Sequence, residues 1–165
     1  MRLPRGLNSY IANELCEKQN MNLRMGSIIP FAIAVVGVVY LYYTGHIFSG
    51  NPVDIVLQVL AAVLMIWARL TFGIRSFNAS ANATAGKLLT SGPYRWFRHP
   101  IYAALIYFFI GSFIAYPTIE VFLVVLLITS GLFVRMLLEE KSLKNTYPEY
   151  SEYCKKTKRV IPFVF

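Results

Sequence analysis

Charged residues are scarce in this 165-residue chain, because Asp, Glu, Lys and Arg together make up only 15% of it. A soluble domain usually carries about 25% charged residues, so the deficit excludes a water-soluble α/β enzyme. Disorder is excluded as well, since Phe and Tyr are abundant. The net charge is nevertheless +8. Such a basic excess indicates either a nucleic-acid partner or a membrane protein whose Lys and Arg lie on one side.

Cysteine and histidine are also scarce, with two of each in the chain. Cys16 and Cys154 both fall in segments assigned below to the cytoplasm, so no structural disulfide is expected. His46 and His99 fall on opposite sides of the predicted membrane, so no metal centre is expected. The sequence also lacks a nucleotide-binding glycine motif and a nucleophile triad.

What the chain does have is four apolar runs of roughly the 20 residues that cross a membrane. They are predicted to be helices at 26–48, 53–74, 101–117 and 118–138. The last two runs have almost no loop between them, so we expect a tight antiparallel hairpin and the closest helix pair. The predicted fold is therefore an all-α integral membrane protein of about four transmembrane helices. Residues 1–25 form an N-terminal segment, a candidate interfacial helix, and residues 26–165 form a single membrane domain.

The basic residues are distributed on one side of these four helices. They precede the first run, lie between the second and third, or follow the fourth, with Arg69 and Arg135 inside runs near that same side. The opposite side carries only Asp54, Glu120 and His46. The positive-inside rule then places both termini in the cytoplasm. The basic excess is thus a topology signal, the lipid bilayer is the expected partner, and a nucleic-acid partner is rejected.

The first polar cluster, over residues 87–102, precedes the third run. Its Gly92-Pro93 pair indicates a turn. His99-Pro100 suits a helix start, because proline is tolerated in the first turn of a helix. His99 and Tyr102 are therefore predicted at the cytoplasmic mouth of the third helix. Interfacial anchoring by Arg, Trp, Tyr and His remains the alternative interpretation.

The second polar cluster runs from Arg135 to Arg159. Arg135 lies within an apolar run, and Glu139 follows one helical turn later. Ionisable groups at membrane depth are costly and usually face a bundle interior or a wet cavity; the alternative is an arginine that snorkels to the interface. The tail beyond Glu140 either lies on the membrane surface or folds back over the helices. A site built from these two polar clusters would lie at the boundary between membrane and cytoplasm. It can receive a water-soluble cofactor from one side and a lipid-like substrate from the other.

Over about residues 69–165 the sequence resembles the isoprenylcysteine carboxyl methyltransferase family, including its short prokaryotic members. The resemblance is carried by Leu88-Leu-Thr-Ser-Gly-Pro-Tyr94, by Arg98-His-Pro-Ile-Tyr102, by Glu139-Glu140 with Leu143, and by the tail from Tyr150 to Pro162. Their ordered combination is specific, although each piece alone is weak. Phospholipid N-methyltransferases share a related C-terminal pattern.

The resemblance implies a membrane methyltransferase that uses S-adenosylmethionine, releases S-adenosylhomocysteine and lacks the soluble Rossmann fold. By position, Arg135 would orient the substrate carboxylate, and Arg98 and Glu140 are further candidates for the site. The residues implied to contact the cofactor are Lys87, Leu88, Leu89, Tyr94, His99, Pro100, Tyr102 and Glu139. The resemblance also implies that the end of the chain covers this site on the cytoplasmic side. The expected location is a prokaryotic cell membrane.

The expected acceptor is a lipophilic, prenylcysteine-like molecule whose carboxylate is already ionised and needs no general base. The alternative acceptor is the amine of a phosphatidylethanolamine-type phospholipid, for which Glu139 or Glu140 would be the candidate base. A small multi-pass transporter is the non-enzymatic alternative.

Overall fold

The computed structural model describes residues 26–73 and 88–161. The predicted N-terminal segment 1–25, Cys16 and Lys87 lie outside these described residues. Within the described ranges the regular structure is helical, and the single β-bridge joins Phe97 and Lys158. The helices are α1 (Gly26–Tyr43), α2 (Pro52–Phe72), a 3₁₀ turn (Gly92–Arg95), α3 (Pro100–Ala115), α4 (Ile119–Thr146) and α5 (Tyr150–Lys156).

Helices α1, α2 and α4 are each long and apolar enough to cross a membrane. Helix α3 is apolar but has only 16 residues, and ends two residues before the predicted boundary. Its two ends nevertheless reach the two ends of the bundle. The Tyr102 hydroxyl, in its first turn, donates to Glu139 near the end of α4. In its last turns, Ser112 donates to the Ile47 carbonyl in the α1–α2 connection. The expectation of an all-α membrane protein is confirmed.

The helix boundaries follow from local capping. The Asn51 side chain accepts a hydrogen bond from the Val53 amide, and Pro52 occupies the first position of α2. Helix α2 ends at Gly73, whose φ is 69°, a conformation that glycine adopts without strain. The Thr118 hydroxyl caps α4 by accepting from the Val121 amide at 3.2 Å. The three residues 116–118 therefore join α3 and α4 as a tight hairpin, as predicted.

The prediction that the last two helices form the closest pair is wrong, because α3 makes more extensive contacts with α2 than with α4. Gly111 allows this approach, since a Cβ there would lie 2.9 Å from the Gln58 side chain of α2. Helix α1 packs on α4 in the same way. A Cβ on Gly131 would lie 2.7 Å from the Pro30 carbonyl oxygen of α1. Small residues let two helix backbones come close in a membrane, so glycine positions determine the helix pairs.

Helix α4 continues eight residues beyond the predicted end at 138, to Thr146. The chain then turns back through α5, and Lys158 pairs with Phe97 just before α3. Of the two arrangements considered for the tail, the structure therefore has the one that folds back over the helices. Gly26 at the start of α1 lies close to Leu138, so α1 begins at this same end of the bundle. We call the end of the bundle that carries Leu138, Phe97 and Lys158 the site end.

Candidate functional site

The deeper part of the site joins α3 and α4 through Tyr102, Arg135 and Glu139. Arg135 and Glu139 lie one turn apart on α4, with Nε of Arg135 3.4 Å from Oε1 of Glu139. The Tyr102 hydroxyl connects them, because it donates to Glu139 at 2.5 Å and accepts from Arg135 Nε at 2.8 Å. A buried hydroxyl that both donates and accepts has no polar atom left without a partner. These three side chains therefore form one hydrogen-bonded group.

Arg135 lies inside the bundle, with only 6% of its surface exposed. Its guanidinium carbon is 4.6 Å from the centre of the Phe31 ring on α1, within the range of a cation–π contact. A snorkelling arginine would instead extend its head group to water at the bundle surface. Arg135 is thus held by side chains of α1, α3 and α4, so it can present a positive charge at a fixed place among apolar walls.

The second part of the site is centred on Glu140, whose side chain is 4% exposed. Oε1 of Glu140 lies 3.3 Å from Nη1 of Arg98 and 3.4 Å from Nε2 of His99, both just before α3. Arg159 donates to the same carboxylate from Nε and from Nη2, each at 3.1 Å. This bidentate contact holds the pKa of Arg159 above its usual value. Glu140 therefore gathers cationic groups from two separate segments.

The chain before α3 is fixed against α2 and against the tail. Gly92 has a φ of 58° and lies so close to Thr71 of α2 that a Cβ would be 2.7 Å from its hydroxyl oxygen. Tyr94 is buried in the 3₁₀ turn that follows. Its carbonyl accepts a 2.7 Å hydrogen bond from the Tyr153 hydroxyl of α5. Burial raises the pKa of Tyr153, so this hydroxyl stays protonated and remains a donor.

The structure thus brings together most of the residues singled out in the sequence. The rings of His99 and Tyr102 are 5.8 Å apart and link the two parts of the site. Pro100 is the buried first residue of α3. Leu88 and Leu89 are half-buried upstream of the 3₁₀ turn, and no hydrogen bond, ion pair or ring contact among the described residues connects them to either cluster. Lys87 lies outside the described residues.

Sequence reasoning missed three members of this arrangement. Arg159 lies in the second polar cluster and in the C-terminal pattern, but neither assigns it a contact with Glu140. Tyr153 lies in the tail from Tyr150 to Pro162 that carries the resemblance, but nothing in the sequence indicates its bond to the Tyr94 carbonyl. Phe31 gave no signal, because an apolar residue in an apolar run looks the same whether it faces lipid or Arg135.

The electrostatic balance of the site is positive, with the three arginines 98, 135 and 159 against the two glutamates 139 and 140. One nitrogen atom here, Arg98 Nε, is buried and makes no hydrogen bond within the described part of the chain. Buried polar atoms are normally hydrogen-bonded, so this donor fits a polar ligand. Among the described residues no group of three or more His, Cys, Asp or Glu side chains is placed to hold a metal ion.

Part of the chain matches the model of a known protein family. The model of a family described as phospholipid methyltransferase matches residues 55–150, which is more than half of the chain. The matched range contains Tyr94, Tyr102, Arg135 and both glutamates but stops before Arg159. No curated protein and no solved structure matches the chain.

Proposed function

Because the chain belongs to the phospholipid methyltransferase family and is a membrane methyltransferase, we propose that it uses S-adenosylmethionine to methylate the carboxylate of a lipophilic, prenylcysteine-like substrate. The observation that carries this proposal is the buried guanidinium of Arg135, which lies between helices in a site of net positive charge. An anionic acceptor balances that charge, whereas an ammonium group adds to it.

The residues at the site end fit the proposed cofactor. Its amino-acid end carries a carboxylate and an ammonium group, for which the buried Arg98 Nε and the Glu139 carboxylate are matched partners. By family resemblance, the remaining cofactor contacts would come from residues 87, 88, 89, 94, 99, 100 and 102. When bound, S-adenosylmethionine supplies a methyl group on a sulfonium sulfur, which keeps the C–S bonding pair as the acceptor oxygen bonds the methyl carbon.

The chain's own residues have a limited task in this reaction, namely positioning and dehydration. Arg135 binds the acceptor carboxylate through charge-assisted hydrogen bonds and directs its oxygen. Tyr102 and Glu139 fix the guanidinium, and Phe31 covers it. A carboxylate is already ionised at neutral pH, so no side chain has to remove a proton.

The second candidate acceptor is the amine of a phospholipid, which the description of the matched family favours. A protonated amine has to lose a proton, so a base is then required. Glu139 is the better placed of the two glutamates, because its carboxylate contacts one arginine and Tyr102, whereas the Glu140 carboxylate is held by Arg98, His99 and Arg159. Family membership favours either enzyme over the transporter considered from the sequence.

The deciding experiment pairs a binding measurement with a labelled-methyl assay. Calorimetry with S-adenosylhomocysteine should show binding to the purified protein. Labelled S-adenosylmethionine is then offered with an S-prenylated N-acetylcysteine or with phosphatidylethanolamine vesicles. Mild alkali releases the label of a methyl ester as methanol but leaves an N-methyl group in place, so the two acceptors give opposite readings.

In the same assay, Arg135→Ala should reduce turnover by about a hundredfold or more, as expected for removing one partner of a buried charged contact, while S-adenosylhomocysteine still binds. Lys141→Ala is the matched control, since Lys141 is an exposed cation on the same helix. Full turnover in Arg135→Ala would refute the role proposed for that residue. Label that resists alkali would show that the acceptor is the phospholipid amine and not a carboxylate.

A further inference from the structure

Residues 150–161, which we call the C-terminal segment, are joined to the chain just before α3 by backbone pairing. The Arg98 amide donates to the Lys158 carbonyl at 2.7 Å, and the His99 amide donates to the Arg159 carbonyl at 3.2 Å. In return, the Lys158 amide donates to the Trp96 carbonyl at 3.2 Å. Only a few such bonds are present, and no longer strand flanks them in the described residues, so side chains have to hold this pairing together.

Glu140 is the side chain that spans the pairing. It contacts Arg98 and His99 on one side and Arg159 on the other. It is buried, and an unpaired carboxylate there would be costly, so its cationic partners are held in place around it. Glu139, the preceding residue, faces Tyr102 and Arg135 instead. Successive helical residues point about 100° apart, which is why neighbouring glutamates reach different groups.

We propose that Glu140 is a positioning residue: it contacts neither cofactor nor acceptor, and holds the C-terminal segment against residues 96–99 so that Tyr94 and His99 stay in place. The inference rests on the proposed function, because that proposal assigns Tyr94 and His99 to the cofactor. The backbone of each is held by the C-terminal segment. The Tyr94 carbonyl accepts from Tyr153, and the His99 amide donates to Arg159.

The test compares Arg159→Gln with Lys158→Gln. Both substitutions remove one positive charge from adjacent positions of the C-terminal segment. Only Arg159 reaches Glu140, whereas the Lys158 residue is exposed and contributes its backbone to the pairing. Arg159 is only partly buried, so its substitution should leave the bundle folded. Glu140→Gln and Glu140→Asp are compared in parallel, since the aspartate keeps the charge and should restore part of what the glutamine loses.

Three measurements are made on each full-length variant in detergent. Hydrogen exchange without cofactor reports on peptides covering residues 96–99 and 157–161. Calorimetry reports S-adenosylhomocysteine affinity, and the methyl-transfer assay separates KM from kcat. Arg159→Gln should speed exchange in both peptides and weaken affinity by about tenfold, at the low end of the effect of losing charge-assisted hydrogen bonds. The KM for S-adenosylmethionine should rise by a similar factor with kcat nearly unchanged, and Lys158→Gln should match the wild type.

The other outcomes overturn the inference in distinguishable ways. Unchanged exchange in Arg159→Gln and Glu140→Gln would show that Glu140 does not hold the C-terminal segment. Faster exchange with unchanged affinity would show that the segment is held but does not position the cofactor site, and the proposed function would stand. A wild-type protein that binds no S-adenosylhomocysteine would remove the proposed function, and with it this inference.

Discussion

Three tyrosines, 94, 150 and 153, are buried where the C-terminal segment meets the 3₁₀ turn and α4. Burial is the largest cause that raises the pKa of each. In the folded protein these hydroxyls therefore keep their protons at pH values where an unfolded chain, with a tyrosine pKa of about 10, begins to lose them. The unfolded state then binds fewer protons, so stability is fully present below pH 10 and falls as the pH rises above it.

Tyr153→Phe should reduce the decrease in stability that occurs as the pH rises above 10. Each buried tyrosine that stays protonated contributes a slope approaching about 1.4 kcal/mol per pH unit above pH 10. The variant should be less stable at neutral pH, because it loses the hydrogen bond to the Tyr94 carbonyl. Its unfolding temperature should however fall less between pH 10 and 11. Tyr42→Phe, at an exposed position, is the control, and an alkaline slope in Tyr153→Phe equal to that of the wild type would contradict the argument.

Helices α1 and α4 meet at Gly131, one turn before Arg135. A Cβ at this glycine would lie 2.7 Å from the Pro30 carbonyl oxygen, and backbone has little freedom to move away. Phe31, the next residue of α1, is the one that covers the Arg135 guanidinium. The close packing of these two helices therefore positions Phe31 over Arg135 as well as stabilising the bundle.

Gly131→Ala should destabilise the protein by about 1–3 kcal/mol, the usual cost of overpacking. It should also lower turnover, because α1 has to move away from α4 and takes Phe31 with it. Gly50→Ala is the matched control, since nothing lies within 4 Å of the Cβ position there. Thermal unfolding in detergent and the labelled-methyl assay check both effects. An alanine variant that unfolds at the wild-type temperature would show that the two helices can separate without cost.

The positions of the helices could be predicted where an apolar run defines them. Which helices pack against each other could not be predicted. The apolar runs alone place the starts of α2 and α4 within about one residue of where the helices begin. The end of α4 was missed because its last turns are polar, and they remain helical as they lie against Arg98 and the C-terminal segment. The four-residue spacing of Arg135 and Glu139 predicted their contact. The contact with Phe31 depends on the register of α1 against α4, which is a property of packed partners rather than of either helix alone.

The whole bundle has two chemically different ends. At the site end lie the start of α1, the cationic groups around Glu140 and the C-terminal segment. At the other end, Tyr40 donates to Glu120, and Asp54 is buried beside Ser49. The described Lys and Arg residues belong to segments at or near the site end. This distribution supports the proposal that the site end faces the cytoplasm.

Reporter fusions test that orientation on the intact chain. A fluorescent protein attached after Phe165 should fluoresce, and alkaline phosphatase at the same position should be inactive, because only the phosphatase needs export. Insertion of the phosphatase after Gly45, in the exposed α1–α2 connection, should give the reverse. Phosphatase activity from the C-terminal fusion would contradict the assigned orientation.

Helix α3 spans the bundle with 16 residues, a length of about 24 Å, whereas a typical hydrocarbon core is about 30 Å thick. The shortfall is a hydrophobic mismatch, and a bilayer relieves mismatch by thinning around the short helix. Lipid head groups beside α3 would then sit closer to the midplane, near the level of Tyr102 and Arg135. Turnover in reconstituted vesicles should accordingly fall as the acyl chains are lengthened at constant head group, so that membrane thickness itself regulates access to the reacting groups.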